Sequence, residues 1–285
     1  MEDKIKLVEC PRDAMQGWPH FIPTKQKVDY LNALLRVGFD TLDFGSFVSP
    51  KAIPQMADTE EVLKELDTTG TATSLLAIVA NTRGAAKAVE FDSIAYLGYP
   101  FSISETFQQR NTNASIEDSL ITVRQMQELC VQHDKKMVVY LSMGFGNPYN
   151  DPFHADILLG WMEKLVREEI GILSVADTVG LATAEEVSSV MKAVMSAFPK
   201  HEIGVHLHST AANRLDKLNA ALEAGVRRFD GAIKGIGGCP MAGDQLVGNM
   251  DTEVMISHFE NIGYTLPIDK PALRDAVRMS AEVFI

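Results

Sequence analysis

Eight short apolar runs, each followed by a stretch of helical character, recur along the chain from one end to the other. The runs are IKLVE (5–9), TLDF (41–44), TSLLAIV (73–79), SIAYLG (93–98), KMVVYLS (136–142), GILSVA (171–176), IGVHLH (203–208) and VRRFDGAI (226–233). Most are apolar throughout rather than alternating, as a strand must be when both of its faces are buried. Between them the apolar residues return at three- and four-residue spacing. Within 27–39, for example, Val28, Leu31, Leu34 and Leu35 share one helix face. Further helices are expected over 59–66, 81–90, 115–133, 154–168, 183–197, 213–224 and from 251 onward, with Ser115 and Asp118 resembling an N-cap and its capping acid. Apolar strands separated by helices call for a parallel sheet covered on its outer face. Eight such units in 285 residues fit a closed (β/α)8 TIM barrel, read as a single catalytic domain over 1–285. A doubly wound open sheet is the alternative, although no G-x-G-x-x-G follows the first strand.

The charge balance narrows the partners. With 38 acidic residues against 26 Lys and Arg, the formal charge of −12 argues against nucleic acid and anionic membrane. A local basic patch can still hold a phosphorylated small molecule. The three cysteines, Cys10, Cys130 and Cys239, form no C-x-x-C pair and no disulfide framework, which points to a reducing compartment, the cytoplasm. Strand-like sequence begins within a few residues of Met1, which leaves no room for a signal or transit peptide. No apolar run reaches the length of a membrane span. A homodimer is the expected assembly.

In such a barrel the chemistry sits where the strands end, at the C-terminal face. The polar residues that follow the runs are Glu9, Arg12, Asp13 and Gln16, then Asp43 and Ser46, Ser142 and Asn147, Asp177 and Thr178, His206 and His208, and finally Cys239 and Asn249. His206 and His208 are two apart, so on a strand they point the same way; a polar pair at a strand end can look identical. Asp13, His206, His208 and Asn249 make a mixed oxygen and nitrogen set suited to Mg²⁺, Mn²⁺ or Zn²⁺. Taken singly, Asp13 could cap a helix and Asn249 could sit in a turn. Arg12 reads as an ion-pair partner of Asp13 or as a stabiliser of negative charge growing on an oxygen. Cys239, between Gly238 and Pro240, is either inert or a proton-transferring thiol. The loop 235–249 carries Gly235, Gly237, Gly238, Gly243 and Gly248, enough backbone freedom for a lid and equally for a plain connector.

Six stretches carry a resemblance: VECPRDAMQG (8–17), SFVSPKAIPQMAD (46–58), FQQRNTNASIEDS (107–119), ADTVGLAT (176–183), VHLHST (205–210) and GGCPMAGDQLVGN (237–249). Together they resemble the 3-hydroxy-3-methylglutaryl-CoA lyase family, part of a metal-dependent lyase and synthase superfamily of barrels. The resemblance runs from residue 4 to about residue 265. It implies that Asp13, His206, His208 and Asn249 hold a divalent cation, that Arg12 stabilises an enolate and that Cys239 acts in catalysis. Asp43 stands where the family usually has Glu, and Asp177 matches an active-site acid, with Ala176 replacing a Gly. With His206 or Asp43 as base, these parts imply cleavage of 3-hydroxy-3-methylglutaryl-CoA to acetyl-CoA and acetoacetate, a step of leucine degradation, with an acyl-CoA as the small-molecule partner. The chain departs from the family at Ala14, Ser209 and QGWPH (16–20), in a shorter Glu9–Arg12 spacing and in a longer Cys239–Asn249 loop. Two other readings stay open. One is a Claisen-type synthase joining an acyl-CoA to a 2-oxo acid; the other is a non-catalytic acyl-CoA-binding barrel.

Overall fold

The computed structural model describes residues 4–238 and 247–285. Its strands are β1 (Lys6–Glu9), β2 (Thr41–Ser46), β3 (Ser74–Ile78), β4 (Ile94–Ser102), β5 (Lys136–Ser142), β6 (Ile172–Ala176), β7 (Glu202–His206) and β8 (Arg228–Gly231). Each lies parallel to the next in chain order, and β8 pairs with β1 to close the barrel, which rules out the open-sheet alternative. Every residue of β2, β6 and β8 is buried, the charged Asp43, Arg228 and Asp230 included.

Around the barrel run α1 (Pro11–Gln16), α2 (Thr24–Leu35), α3 (Thr59–Lys64), α4 (Thr82–Ala88), α5 (Glu105–Thr112), α6 (Ile116–Gln132), α7 (Ala155–Arg167), α8 (Ala184–Ala197), α9 (Arg214–Glu223), α10 (Thr252–Asn261) and α11 (Lys270–Val283). Helix starts follow local chemistry. Ser115 accepts from the Asp118 amide ahead of α6, and Thr183 forms a reciprocal capping box with Glu186 at α8. Helix α7 turns Leu158, Met162 and Leu165 inward at the spacing of one helical face.

Several boundaries differ from the sequence expectation. Helices α1, α5 and α11 were not anticipated: α1 has 6 residues, too few to display a period, and α5 follows a strand that extends to Ser102 instead of ending at residue 98. Helix α11 packs on α2, and Phe284 beyond it meets Trp18 and Tyr30 edge-on, with ring centroids 5.2 and 6.1 Å away. The seventh strand ends at His206, so His208 lies beyond it and pairs with Asn249 through an isolated antiparallel bridge. The eighth strand stops at Gly231, and Ile233–Gly235 form a 3-10 turn. Among the described residues no helix is long and apolar enough to cross a membrane.

Candidate active site

Pro11 opens α1 immediately after β1, so Arg12, Asp13 and Gln16 are delivered to the C-terminal end of the barrel on a rigid turn. The Arg12 guanidinium grips Asp43 of β2: Nε donates at 3.0 and 3.2 Å and Nη2 at 2.5 Å. Its Nη1 donates to Asp13 Oδ1 at 3.2 Å and to Gln16 Oε1 at 2.9 Å, while Gln16 Nε2 donates to the same Asp13 oxygen at 2.8 Å. Of the five N–H groups of a guanidinium, four are thus engaged, and one on Nη2 remains for a ligand.

Across the mouth, the His206 and His208 rings stand 5.3 Å apart, centroid to centroid. Asp13, His206 and His208 present ligand atoms that all lie within 4.8 Å of one another. Asn249 Nδ2 donates to Asp13 Oδ2 at 2.8 Å and to the Ile236 carbonyl at 3.0 Å, and the buried Asn249 Oδ1 has no hydrogen-bond partner among the described residues. A buried oxygen left this way costs free energy unless something electropositive meets it. The four residues expected as ligands therefore converge, and their donor set fits a divalent cation.

Electrostatics agree with that fit. Burial, reinforced by the His206 charge, lowers His208 to about 4, so it stands as a neutral imidazole, the form that ligates. Burial disfavours the Asp13 carboxylate, but Arg12, both histidines and the Asn249 amide outweigh it and hold the pKa below the usual range. Asp43 behaves differently. Burial, with the nearby Asp13 and Asp230 charges, raises it to about 6 against the pull of Arg12. For His206, burial opposes the charged form, and the Asp230 contact overrides it and raises the pKa.

These groups face a cavity of about 430 Å³ whose wall includes Arg12, Asp13, Gln16, Asp43, His206 and His208. Its lining also includes the apolar Val48, Ile53, Ile78, Pro100 and Phe107, the ring of Tyr140, and Arg110, Asn111 and Thr112 at the end of α5. Ser142 and Thr178 also reach the cavity. Glu9 and Asn147 do not line it: Glu9 accepts from the Ile233 amide and the Thr252 hydroxyl, and Asn147 accepts from the Tyr149 and Asp151 amides.

Asp177 is not part of the cavity lining. It lies behind the cavity, 2% exposed, in an ion pair with the equally buried Lys217 at 2.7 Å. Lys217 also donates to the His208 carbonyl at 2.8 Å, so this pair supports the backbone of a candidate ligand instead of meeting a substrate. The expected catalytic Cys239 lies outside the described residues. Gln16, Tyr140 and Asp230, by contrast, join the site without having been singled out for a role. Asp230 is an acid two positions after Arg228 in a buried strand, and that spacing was the available signal that it faces inward.

Fold and site together define a (β/α)8 barrel with a carboxylate–imidazole cation site at its C-terminal mouth. The HMGL-like family model matches residues 4–279, and the chain belongs to that family. The family is divalent-metal dependent, and the Asp13–His206–His208 cluster is a place for such an ion. Hydroxymethylglutaryl-CoA lyase of Bacillus subtilis is 32% identical over 280 residues, spanning 98% of this chain and 93% of the relative. A Pseudomonas aeruginosa protein described as 3-hydroxy-3-isohexenylglutaryl-CoA/hydroxy-methylglutaryl-CoA lyase is 32% identical over 96% of this chain and 90% of its own. Among solved structures, an HMG-CoA lyase from Acinetobacter baumannii in complex with coenzyme A and 3-methylmalate superposes with a TM-score of 0.91 at 31% identity, covering 99% of this chain and 92% of that one.

Proposed function

We infer that this protein is a divalent-metal-dependent carbon–carbon lyase that cleaves 3-hydroxy-3-methylglutaryl-CoA to acetyl-CoA and acetoacetate. The observation that carries the reading is the convergence of Asp13, His206, His208 and the unpartnered Asn249 oxygen beside Arg12, in a chain of this family. The bound cation supplies Lewis acidity that acidifies the substrate's 3-hydroxyl and orients the bond to be broken. Mg²⁺ or Mn²⁺ suits a site of carboxylate, amide and imidazole without thiolate, with Zn²⁺ the third candidate.

The chain's own residues supply the rest. Asp43, poised at about 6, takes the 3-hydroxyl proton. His206 is a poorer base, because Nδ1 faces Asp230 and its other nitrogen is needed as a ligand. As the C2–C3 bond breaks, its electron pair moves onto C2 and C3 becomes the ketone of acetoacetate. The free Nη2 hydrogen of Arg12 meets the negative charge on the thioester oxygen. Cys239 is the proposed donor of the proton that C2 then needs. A homodimer in the cytoplasm completes the proposal.

Tyr140 and the apolar side of the cavity favour a second substrate of the same kind, one with a 3-alkyl chain longer than methyl, such as the isohexenyl substrate named for the P. aeruginosa relative. The deciding experiment incubates the metal-loaded protein with 3-hydroxy-3-methylglutaryl-CoA and follows acetoacetate. A parallel assay supplies acetyl-CoA with a panel of 2-oxo acids. Acetoacetate release is the expected result; turnover confined to condensation establishes the synthase, and thermal stabilisation by acyl-CoA without turnover establishes the binding protein.

A further inference from the structure

Asp230 is an acid placed inside the barrel wall, its side chain fully shielded from solvent. On adjacent strands β7 and β8, His206 and Asp230 are direct register partners, so their side chains emerge together. His206 Nδ1 lies 3.2 Å from Asp230 Oδ2, and Asp230 Oδ1 has no partner. Two other neighbours hydrogen-bond elsewhere, although the charges of Arg228 and Asp230 feel each other. Cys10, whose sulfur lies within 4.8 Å of both groups, points its thiol to the Val8 carbonyl at 3.8 Å. Arg228, two residues earlier, pairs with Asp40 and Glu202 at 3.3 and 3.1 Å.

Among the described residues, then, the single hydrogen-bonding partner of this buried carboxylate is an imidazole. As a stabilising device the arrangement is poor, since a buried acid with one oxygen unsatisfied costs free energy that an apolar residue of similar size would not. A metal-ligating histidine, however, regularly donates its second ring N–H to a carboxylate, which fixes the ring's angle and its tautomer.

We propose that Asp230 is the positioning residue of the metal site: it accepts the Nδ1 proton of His206 and so presents Nε2, lone pair outward, to the cation shared with Asp13 and His208. The inference rests on the reading of His206 as a ligand and can fail separately from it. Asp230→Leu removes the acceptor at nearly constant volume, whereas Asp230→Asn keeps an oxygen able to accept from Nδ1–H. Metal-free full-length proteins are titrated with Mn²⁺ while the free ion is followed by its paramagnetic resonance signal, and the tautomer of His206 is read from ¹⁵N shifts of the labelled ring. Asp230→Leu should weaken Mn²⁺ binding by about 10- to 100-fold and abolish the single Nδ1–H tautomer, and Asp230→Asn should restore most of the affinity. A folded Asp230→Leu protein that binds Mn²⁺ like wild type overturns the proposal. So does a wild-type His206 carrying its proton on Nε2, a measurement that stands even where Asp230→Leu does not fold. His206→Ala separates the two levels: if it too binds Mn²⁺ normally, the ligand reading itself has failed.

Discussion

Where β7, β8, β1 and β2 end, the cavity is faced by His206, His208, Arg12, Asp13 and Asp43; along β3, β4 and β5 it is faced by the mainly apolar Ile78, Pro100 and Tyr140, with Val48 and Phe107. Ser142 and, from α5, Arg110, Asn111 and Thr112 also reach it. Arg12, Asp13, Asp43 and His206 are each held by named partners at hydrogen-bonding distance, so their positions are fixed and their burial is costly. The apolar residues of the other side are held by packing: Val48 and Tyr140 rest on the small cluster of Leu76, Ile78, Val138 and Ile172. One half of the mouth is therefore specified atom by atom, and the other by shape. A change in the first should remove chemistry, whereas a change in the second should alter what fits.

The largest effect is expected from His208→Ala. Metal content after matched loading should fall, and lyase turnover should drop by more than the 10- to 100-fold typical of a residue that merely supports a ligand. The fold should persist, because residues at this face of a barrel serve function more than stability. Equal metal content in variant and wild type would remove His208 from the ligand set.

Arg12→Gln comes next. Loss of the one uncommitted guanidinium N–H should lower kcat by about 10²–10³ with a smaller change in KM. Asp43 would also lose the charge that holds its pKa down; its protonation limits the damage to stability and, by removing the proposed base, adds to the loss of kcat. If kcat is unchanged, Arg12 holds the site together without meeting the thioester.

On the opposite half, Val48→Trp tests shape. Filling the apolar recess should leave turnover of the 3-methyl substrate nearly intact. Cleavage of a homologue with a branched five- or six-carbon 3-substituent should fall by roughly 10²-fold, the scale of misfit by a few methylenes. Parallel loss on both substrates would show instead that this wall serves the part of the acyl-CoA they share.

The two halves were also unequally legible in the sequence. Arg12, Asp13, His206, His208 and Asn249 could be placed together because each follows an apolar run, and the barrel brings all such positions to one face. The partners that hold them could not. Asp230 sits within a strand, and pairing it with His206 requires the β7–β8 register. Asp177 was expected in the cavity because it follows β6, but the Lys217 that claims it is forty positions away on another element. Helix α1 is too short for a periodic signal, so Gln16 could not be seen to bridge Arg12 and Asp13. Position relative to a strand end is a local property; the identity of a buried charge's partner is not.

The smallest expected effect concerns Glu9, the acid at the end of β1 beneath the polar half. Its Oε1 accepts from the Ile233 amide at 2.9 Å and its Oε2 from the Thr252 hydroxyl at 2.6 Å, yet burial raises its pKa from 4.5 to about 8. Between those values the folded protein keeps a proton that the unfolded chain has released. The unfolded state then binds fewer protons, so stability falls as pH rises from 4.5 to about 8 and levels off above it. Glu9→Gln removes that dependence while preserving both contacts: the amide oxygen accepts from Ile233, and the amide nitrogen donates to the Thr252 hydroxyl, which reverses its role. Unfolding temperatures of variant and wild type should coincide near pH 4.5 and separate with increasing pH. The variant should lead at pH 8.5, by a margin that grows across the whole of that pH range. A constant offset at every pH would show that Glu9 is ionised in the folded protein throughout, and that the polar half of the mouth tolerates a further buried negative charge without cost.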